Sequence, residues 1–141
     1  MALTPTHLPD TSVLARLGKP AVAKRLAPML RADQLATCPI VALEMGYTAR
    51  SGRDYDRLLG NLRAAYPWVA VTEGAFERAL DVQRALAQRG KHRAAKLPDL
   101  LIAAAAERAG LTVLHYDRDY EVIAGVTGQP VDWVVPAGEA D

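Results

Sequence analysis

PDLLIAAAAERAGLTVLHYDRD, residues 98–119, is the stretch on which the fold turns. Pro98 suits the first turn of a helix, Asp99 follows it, and Leu100 to Ala106 are all apolar. Gly110 stops it, and Thr112 to His115 then reads as a strand delivering Tyr116, Asp117, Arg118 and Asp119 at its carboxyl end. Open α/β sheets bind their ligands at that end of their strands.

The same alternation runs outward. A short strand ending near Leu8 leads into Asp10-Thr11-Ser12, and Val13, Leu14 and Leu17 follow at helical spacing up to Gly18. Pro9 belongs at a strand end, because it cannot donate to a ladder. Pro20 opens a helix to about Leu30. Leu35 to Thr37 reads as a strand, and Thr37 with Pro39 starts a helix carrying Ile40, Leu43, Glu44 and Tyr47. Arg53 to Ala65 is helical, Pro67 breaks it, and Trp68 to Val71 is a buried-strand candidate. Thr72 caps a helix whose expected core stripe is Phe76, Ala79, Leu80 and Leu86, ended by Gly90. After the central helix and strand, a short helix near Tyr120 to Ala124 and a strand from Val131 to Val135 complete the pattern. Alternating units of this kind predict α/β architecture around a parallel sheet.

Composition narrows the class. With 141 residues, 50% hydrophobic and 23% charged, the chain fits one globular domain spanning 1–141. No apolar stretch approaches the roughly 18 residues of a membrane span, and Met1 to Asp10 lacks the pattern of a secretory leader, so a cytoplasmic protein is expected. Cys38 is alone and reads as a small buried hydrophobe. A net charge of +1 gives no global attraction to nucleic acid, so any such binding must be local.

Most carboxylates sit beside Lys or Arg on helix faces, but four do not. Asp10 and Asp117 follow strands, Glu44 is the one charge between Cys38 and Ala49, and Asp99 opens the apolar helix. Each alone has a plain explanation; Asp99, for example, suits the positive end of the helix dipole. Together they imply a cluster. Two like charges about 4 Å apart repel by about 4 kcal/mol at an effective dielectric near 20, so such a cluster calls for protons or cations. Hard oxygen ligands select Mg²⁺ or Mn²⁺.

LPDTSVL (residues 8–14), PIVALEM (39–45), PDLLIAA (98–104) and LHYDRDYEVIA (114–124) together resemble the motifs of the PIN-domain ribonuclease toxins of the VapC family. The resemblance covers nearly the whole chain. It implies a three-layer α/β/α fold with a central parallel sheet in strand order 3-2-1-4-5. It implies Mg²⁺-dependent endoribonuclease activity, a homodimer, and restraint by a cognate VapB-like antitoxin. By the same resemblance Asp10, Glu44, Asp99 and Asp117 are the acidic positions, Asp119 is an additional acid, and Ser12 is a small hydroxyl residue near the site. Pro9 and Pro98 depart from the family pattern without removing a ligand.

In such a site a metal-activated water hydrolyses the phosphodiester of RNA, with no serine or cysteine triad. Thr11 or Ser12 is expected to orient that water or to cap the helix after it. His7, His92 and His115 lack ligand spacing; His115 is expected to be a packed neutral ring. The basic connector, with Arg89, Lys91, Arg93 and Lys96 and with Arg84 before it, either tracks an RNA backbone or is a solvated loop. Phosphotransfer domains of the receiver or haloacid-dehalogenase kind also use strand-end Asp, but Trp68 to Val71 ends in Thr72 and Asp10 has no second acid two residues on. A degenerate PIN fold acting only as an RNA- or protein-binding module is the alternative.

Overall fold

The computed structural model describes residues 4–141; residues 1–3, the start of the segment read for a leader pattern, lie outside the described residues. Three strands form a parallel sheet in the order β1 (His7–Pro9), β2 (Thr112–His115), β3 (Val131–Trp133). Seven helices are described: α1 (Thr11–Leu14), α2 (Pro20–Arg31), α3 (Pro39–Tyr47), α4 (Gly52–Ala65), α5 (Glu73–Gln88), α6 (Leu97–Ala109) and α7 (Asp119–Thr127).

The sheet is shorter than the sequence suggests. The segments expected as strands at 35–37 and 68–71 appear only as isolated parallel bridges, His7 with Leu35 and Thr37 with Trp68. Few backbone bonds hold them: Ala36 N–H donates to His7, Thr37 N–H to Pro67, and Val69 N–H to Thr37. Asp33, at φ 54°, turns the chain just before the first segment, and Pro67 precedes the second. β3 likewise stops at Trp133 rather than Val135.

Pro9 closes β1 opposite Leu114, and Asp10 supplies the next N–H, to the Leu114 carbonyl at 2.8 Å. A strand-ending proline therefore costs no ladder bond. β2 alternates between two apolar clusters: Val113 packs with residues of α3 to α7, and Leu114 packs with Val13, Val22 and Leu26 of α1 and α2. Each fully buried large aliphatic side chain contributes about 1.5–3 kcal/mol, so this alternation fixes the register of β2.

α6 is the buried centre, with Leu100 and Ile102 to Ala106 all enclosed. Pro98 lies in its first turn, and Gly110 ends it at φ 72°, a left-handed conformation that costs glycine little. The α5 stripe is shifted from expectation. Ala75, Ala79, Val82 and Leu86 face the core, whereas Phe76 and Leu80 are 49% and 62% exposed. The spacing 75, 79, 82, 86 follows one helix face, and Phe76 and Leu80 lie a step round the helix from it. Among the described residues, no helix is long and apolar enough to cross a membrane.

Candidate metal centre

Three acids converge at the junction of α6, β2 and α7. One carboxylate oxygen from each of Asp99, Asp117 and Asp119 lies within 4.8 Å of the others. Asp99 is brought there by the first turn of α6, Asp117 by the loop after β2, and Asp119 by the start of α7. That loop is tied locally: Asp117 Oδ1 accepts the Asp119 N–H at 3.0 Å. The tie explains the Asp-Arg-Asp spacing, since a side-chain bond two residues on makes a compact turn into a helix.

Asp10 joins through a residue that the sequence reading did not single out. The buried Tyr120 hydroxyl lies 2.6 Å from Asp10 Oδ1 and 3.2 Å from Asp99 Oδ1. Asp10 Oδ2 caps α1 by accepting the Ser12 N–H at 3.0 Å. Neither neighbouring hydroxyl caps that helix. Ser12 Oγ accepts the Tyr116 N–H at 2.9 Å, tying α1 to the end of β2, and Thr11 Oγ1 donates to Glu44 Oε1 at 2.7 Å. Glu44 is half-buried on α3; its described link to this region is Thr11, and it stands outside the three-acid cluster.

The electrostatics separate the acids. Burial, then the charge of Asp10, then contacts with Asp119 and Asp117, push the Asp99 carboxyl up to about 8. Burial also raises Asp117, but the Asp119 N–H and the Lys96 ammonium outweigh it and hold the group below its ordinary value. Tyr120 is driven well above the usual phenol range by burial and by the Asp10 and Asp99 charges, so it remains a neutral donor. It has one proton for two carboxylates, and the 2.6 Å contact marks Asp10 as its acceptor.

Asp99 Oδ2 is buried and has no hydrogen-bond partner among the described residues. A buried carboxylate oxygen without a donor is costly, and here it stands in an all-carboxylate set. That donor set fits a hard divalent cation.

Lys96 and His115 border the acids, and the other basic connector residues have no described contact with them. Lys96 places its ammonium 3.3 Å from Asp117 and 3.5 Å from Asp119, whereas Lys91 and Arg93 are exposed and Arg89 donates to the Gly125 carbonyl at 3.3 Å. His115 is fully buried, and burial lowers its pKa despite Glu121 and Asp10 nearby. Its Nδ1 accepts the Asp117 N–H at 3.3 Å, which leaves the proton on Nε2, 3.5 Å from Glu121. Cys38 is buried, and that burial raises its thiol.

Residues 8–126 match the PIN domain family, a span that contains every acid just described. The ribonuclease VapC51 of Mycobacterium tuberculosis is 48% identical over 135 residues, covering 96% of this chain and 97% of its own length. This chain belongs to the VapC family of PIN-domain ribonucleases. The family member VapC21, from the same organism, is 44% identical over 98% of this chain and 100% of its own. Among solved structures, a VapBC2 assembly of Rickettsia felis bound to promoter DNA superposes on this VapC-family chain with a TM-score of 0.74. It is 14% identical and covers 90% of this chain and 97% of its own. A toxin–antitoxin complex from Klebsiella pneumoniae gives a TM-score of 0.71 at 21% identity, with coverage of 92% and 98%. At those identities the superpositions speak for the fold, and the VapC relatives speak for the family.

Proposed function

We propose that this chain is the toxin of a type II toxin–antitoxin pair, an endoribonuclease that holds Mg²⁺ or Mn²⁺ on Asp10, Asp99, Asp117 and Asp119 with Glu44 at the edge. The observation that carries the reading is the convergence of Asp99, Asp117 and Asp119 within 4.8 Å around an unpartnered buried oxygen. A divalent cation bound there would polarise a phosphodiester, lower the pKa of a water and offset charge on the leaving oxygen. The protein's share of the work is positional. Tyr120 fixes Asp10 against Asp99, Asp10 is anchored to α1 by the Ser12 N–H, and the Asp117–Asp119 turn presents two carboxylates from one short segment. Ser12 contributes by joining α1 to β2.

Arg89, Lys91, Arg93 and Lys96 are the proposed contacts to the RNA backbone, with Lys96 exchanging its carboxylate partners for phosphate once a cation occupies the centre. A VapB-like antitoxin is the proposed partner. An open groove of about 550 Å³, lined by Ile40, Leu43, Tyr47, Leu97 and Leu101 and reaching Glu44, supports it, since an apolar partner segment seated there would hold a basic side chain beside the acids. We further infer a single domain over 1–141, a homodimer, and residence in the cytoplasm. The bridges at Leu35, Thr37 and Trp68, read as reduced strands, support the order 3-2-1-4-5 in a three-layer arrangement.

The direct test compares wild type with Asp10→Asn on RNA in Mg²⁺. Asparagine keeps the shape and the α1 cap but removes a charge, so cleavage is expected to fall by about a hundredfold or more, with growth inhibition lost. A folded Asp10→Asn chain cleaving at the wild-type rate refutes the assignment.

A further inference from the structure

Beside the acidic centre, on the flank formed by the ends of β2 and β3, lies an open pocket of about 540 Å³. Its walls include Arg16, Tyr116, Arg118 and Trp133, and Asp117 belongs both to it and to the acidic cluster. We propose that this pocket is a subsite for one unpaired nucleobase of an RNA chain whose adjoining phosphate lies at the acidic centre. The proposal rests on the ribonuclease reading above.

Aromatic planes and guanidinium groups are the pocket's main equipment. The Trp133 indole stands edge-on to Tyr116, with centroids 5.5 Å apart and an interplanar angle of 90°, and its other neighbour is the buried His115 ring at 4.9 Å. These contacts hold the indole in place. Arg118, exposed at the start of α7, carries its guanidinium over that indole at 5.9 Å. Arg16 lies over the Tyr116 ring at 4.6 Å and is fixed there, donating from Nε to Ala140 O at 3.0 Å and from Nη1 to Ser12 O at 2.8 Å.

Rigid aromatic rings with arginine planes are what single-stranded nucleic acid uses for base stacking. The pocket's arginines argue for a base rather than a phosphate. Arg16 is already held by the Ala140 and Ser12 carbonyls and the Tyr116 face, so the pocket offers no pair of free guanidiniums to clamp a phosphate, whereas a neutral heteroaromatic ring finds flat faces and edge donors and acceptors. Its volume lies within the roughly 300–1,000 Å³ of small-ligand sites. Location supplies the rest. The basic connector meets the acidic centre through Lys96, and the aromatic pocket meets it through Asp117. A strand bound along the connector would cross the acids and set its next base against Trp133.

The experiment uses the full chain carrying Asp10→Asn as a non-cleaving parent, in Mg²⁺, with single-stranded RNA oligonucleotides containing 2-aminopurine. Binding to the parent is expected to quench the fluorescent base. Trp133→Leu, which keeps apolar bulk without a stacking plane, should abolish that quenching and weaken binding about five- to 150-fold. Arg118→Ala, at an exposed position that poses no folding problem, should weaken binding several-fold and reduce quenching. In the otherwise wild-type enzyme both changes should raise KM more than they lower kcat. Unchanged quenching and affinity in Arg118→Ala and in folded Trp133→Leu overturn the subsite while leaving the ribonuclease reading intact. Loss of antitoxin binding with RNA binding unchanged also overturns it, and marks the pocket as a protein contact. If the parent binds no RNA and the wild type cleaves none, the underlying reading fails as well.

Discussion

Replacing Asp99 by Asn should stabilise the metal-free protein, and the structure gives both the sign and the size. The Asp99 carboxyl titrates near 3.8 when unfolded and is pushed up to about 8 in the fold. Because the folded value is the higher one, the stability linked to this group is fully present below pH 3.8 and is lost as pH rises through about 8. That rise of roughly four pH units, at about 1.4 kcal/mol each, sets a ceiling of about 6 kcal/mol on the loss. Burial is the leading cause of that rise and the charges of Asp10, Asp117 and Asp119 add to it, so the shift belongs to the whole cluster and about half of the ceiling is taken as the loss that Asp99 itself removes. Asparagine forfeits the favourable dipole interaction at the start of α6, which is about 0.3–1 kcal/mol and loses to the repulsion. A net gain of about 2 kcal/mol remains above pH 8, equivalent to roughly 5–10 °C in Tm for a chain of this size. Thermal melts in EDTA from pH 5 to 9 measure it. The two proteins should lie closest at pH 5, the acid end of the range, and diverge with rising pH, and saturating Mg²⁺ should raise the wild type more than the variant. A wild-type Tm that is flat over this range, with Asp99→Asn melting lower at pH 8.5, would refute the reasoning.

Two further changes isolate the neighbours of the acids. Tyr120→Phe keeps the buried ring but deletes the donor 2.6 Å from Asp10, so Mn²⁺ affinity measured by calorimetry should fall about tenfold or more; an unaltered Kd would remove Tyr120 from the centre. Lys96→Ala deletes an ammonium that is 70% exposed and would compete with a divalent ion for Asp117 and Asp119. Stability should change by less than about 1 kcal/mol, while Mg²⁺ binding in the absence of RNA tightens; weaker Mg²⁺ binding would contradict the competition.

Asp10, Asp99 and Asp117 could be picked out in the sequence because each sits where an element begins or ends, whereas Glu44 lies inside α3 and outside the three-acid cluster. Asp10 and Asp117 follow apolar strand residues, and Asp99 interrupts an otherwise apolar run, so pattern and charge disagree at those positions. Tyr120 was not legible: a tyrosine at a core position of a short helix looks like packing, and only the fold shows its hydroxyl between two carboxylates from residues 10 and 99. Lys96 read as one more charge in a basic connector, yet the turn into α6 folds it back onto Asp117 and Asp119. Phe76 and Leu80 looked like core because helical spacing alone leaves the choice of face open; the small residues Ala75 and Ala79 take the core face. The segments at 35–37 and 68–71 carry strand-like residues, but Pro67 and the turn at Asp33 leave room for a single bridge each.

The position of Asp99 also explains why its carboxyl is a weak acid in the fold. α6 is enclosed because seven apolar residues follow Asp99 directly, and that enclosure is what carries the first turn, with its carboxylate, out of water. An acid on an exposed helix such as α4, where Asp54 is held below its ordinary value by the Arg50 N–H and the Arg57 guanidinium, remains charged at neutral pH. The segment that builds the core thus also makes Asp99 a weak acid, poised to release its proton when a stronger positive charge arrives. Asp117, held low by the Asp119 N–H and Lys96, is already ionised and would supply negative charge toward a cation bound there. Two carboxylates in one cluster are therefore tuned in opposite directions by burial and by local donors, and cation binding should release about one proton near pH 7, a quantity that calorimetry in buffers of different ionisation enthalpy reads directly.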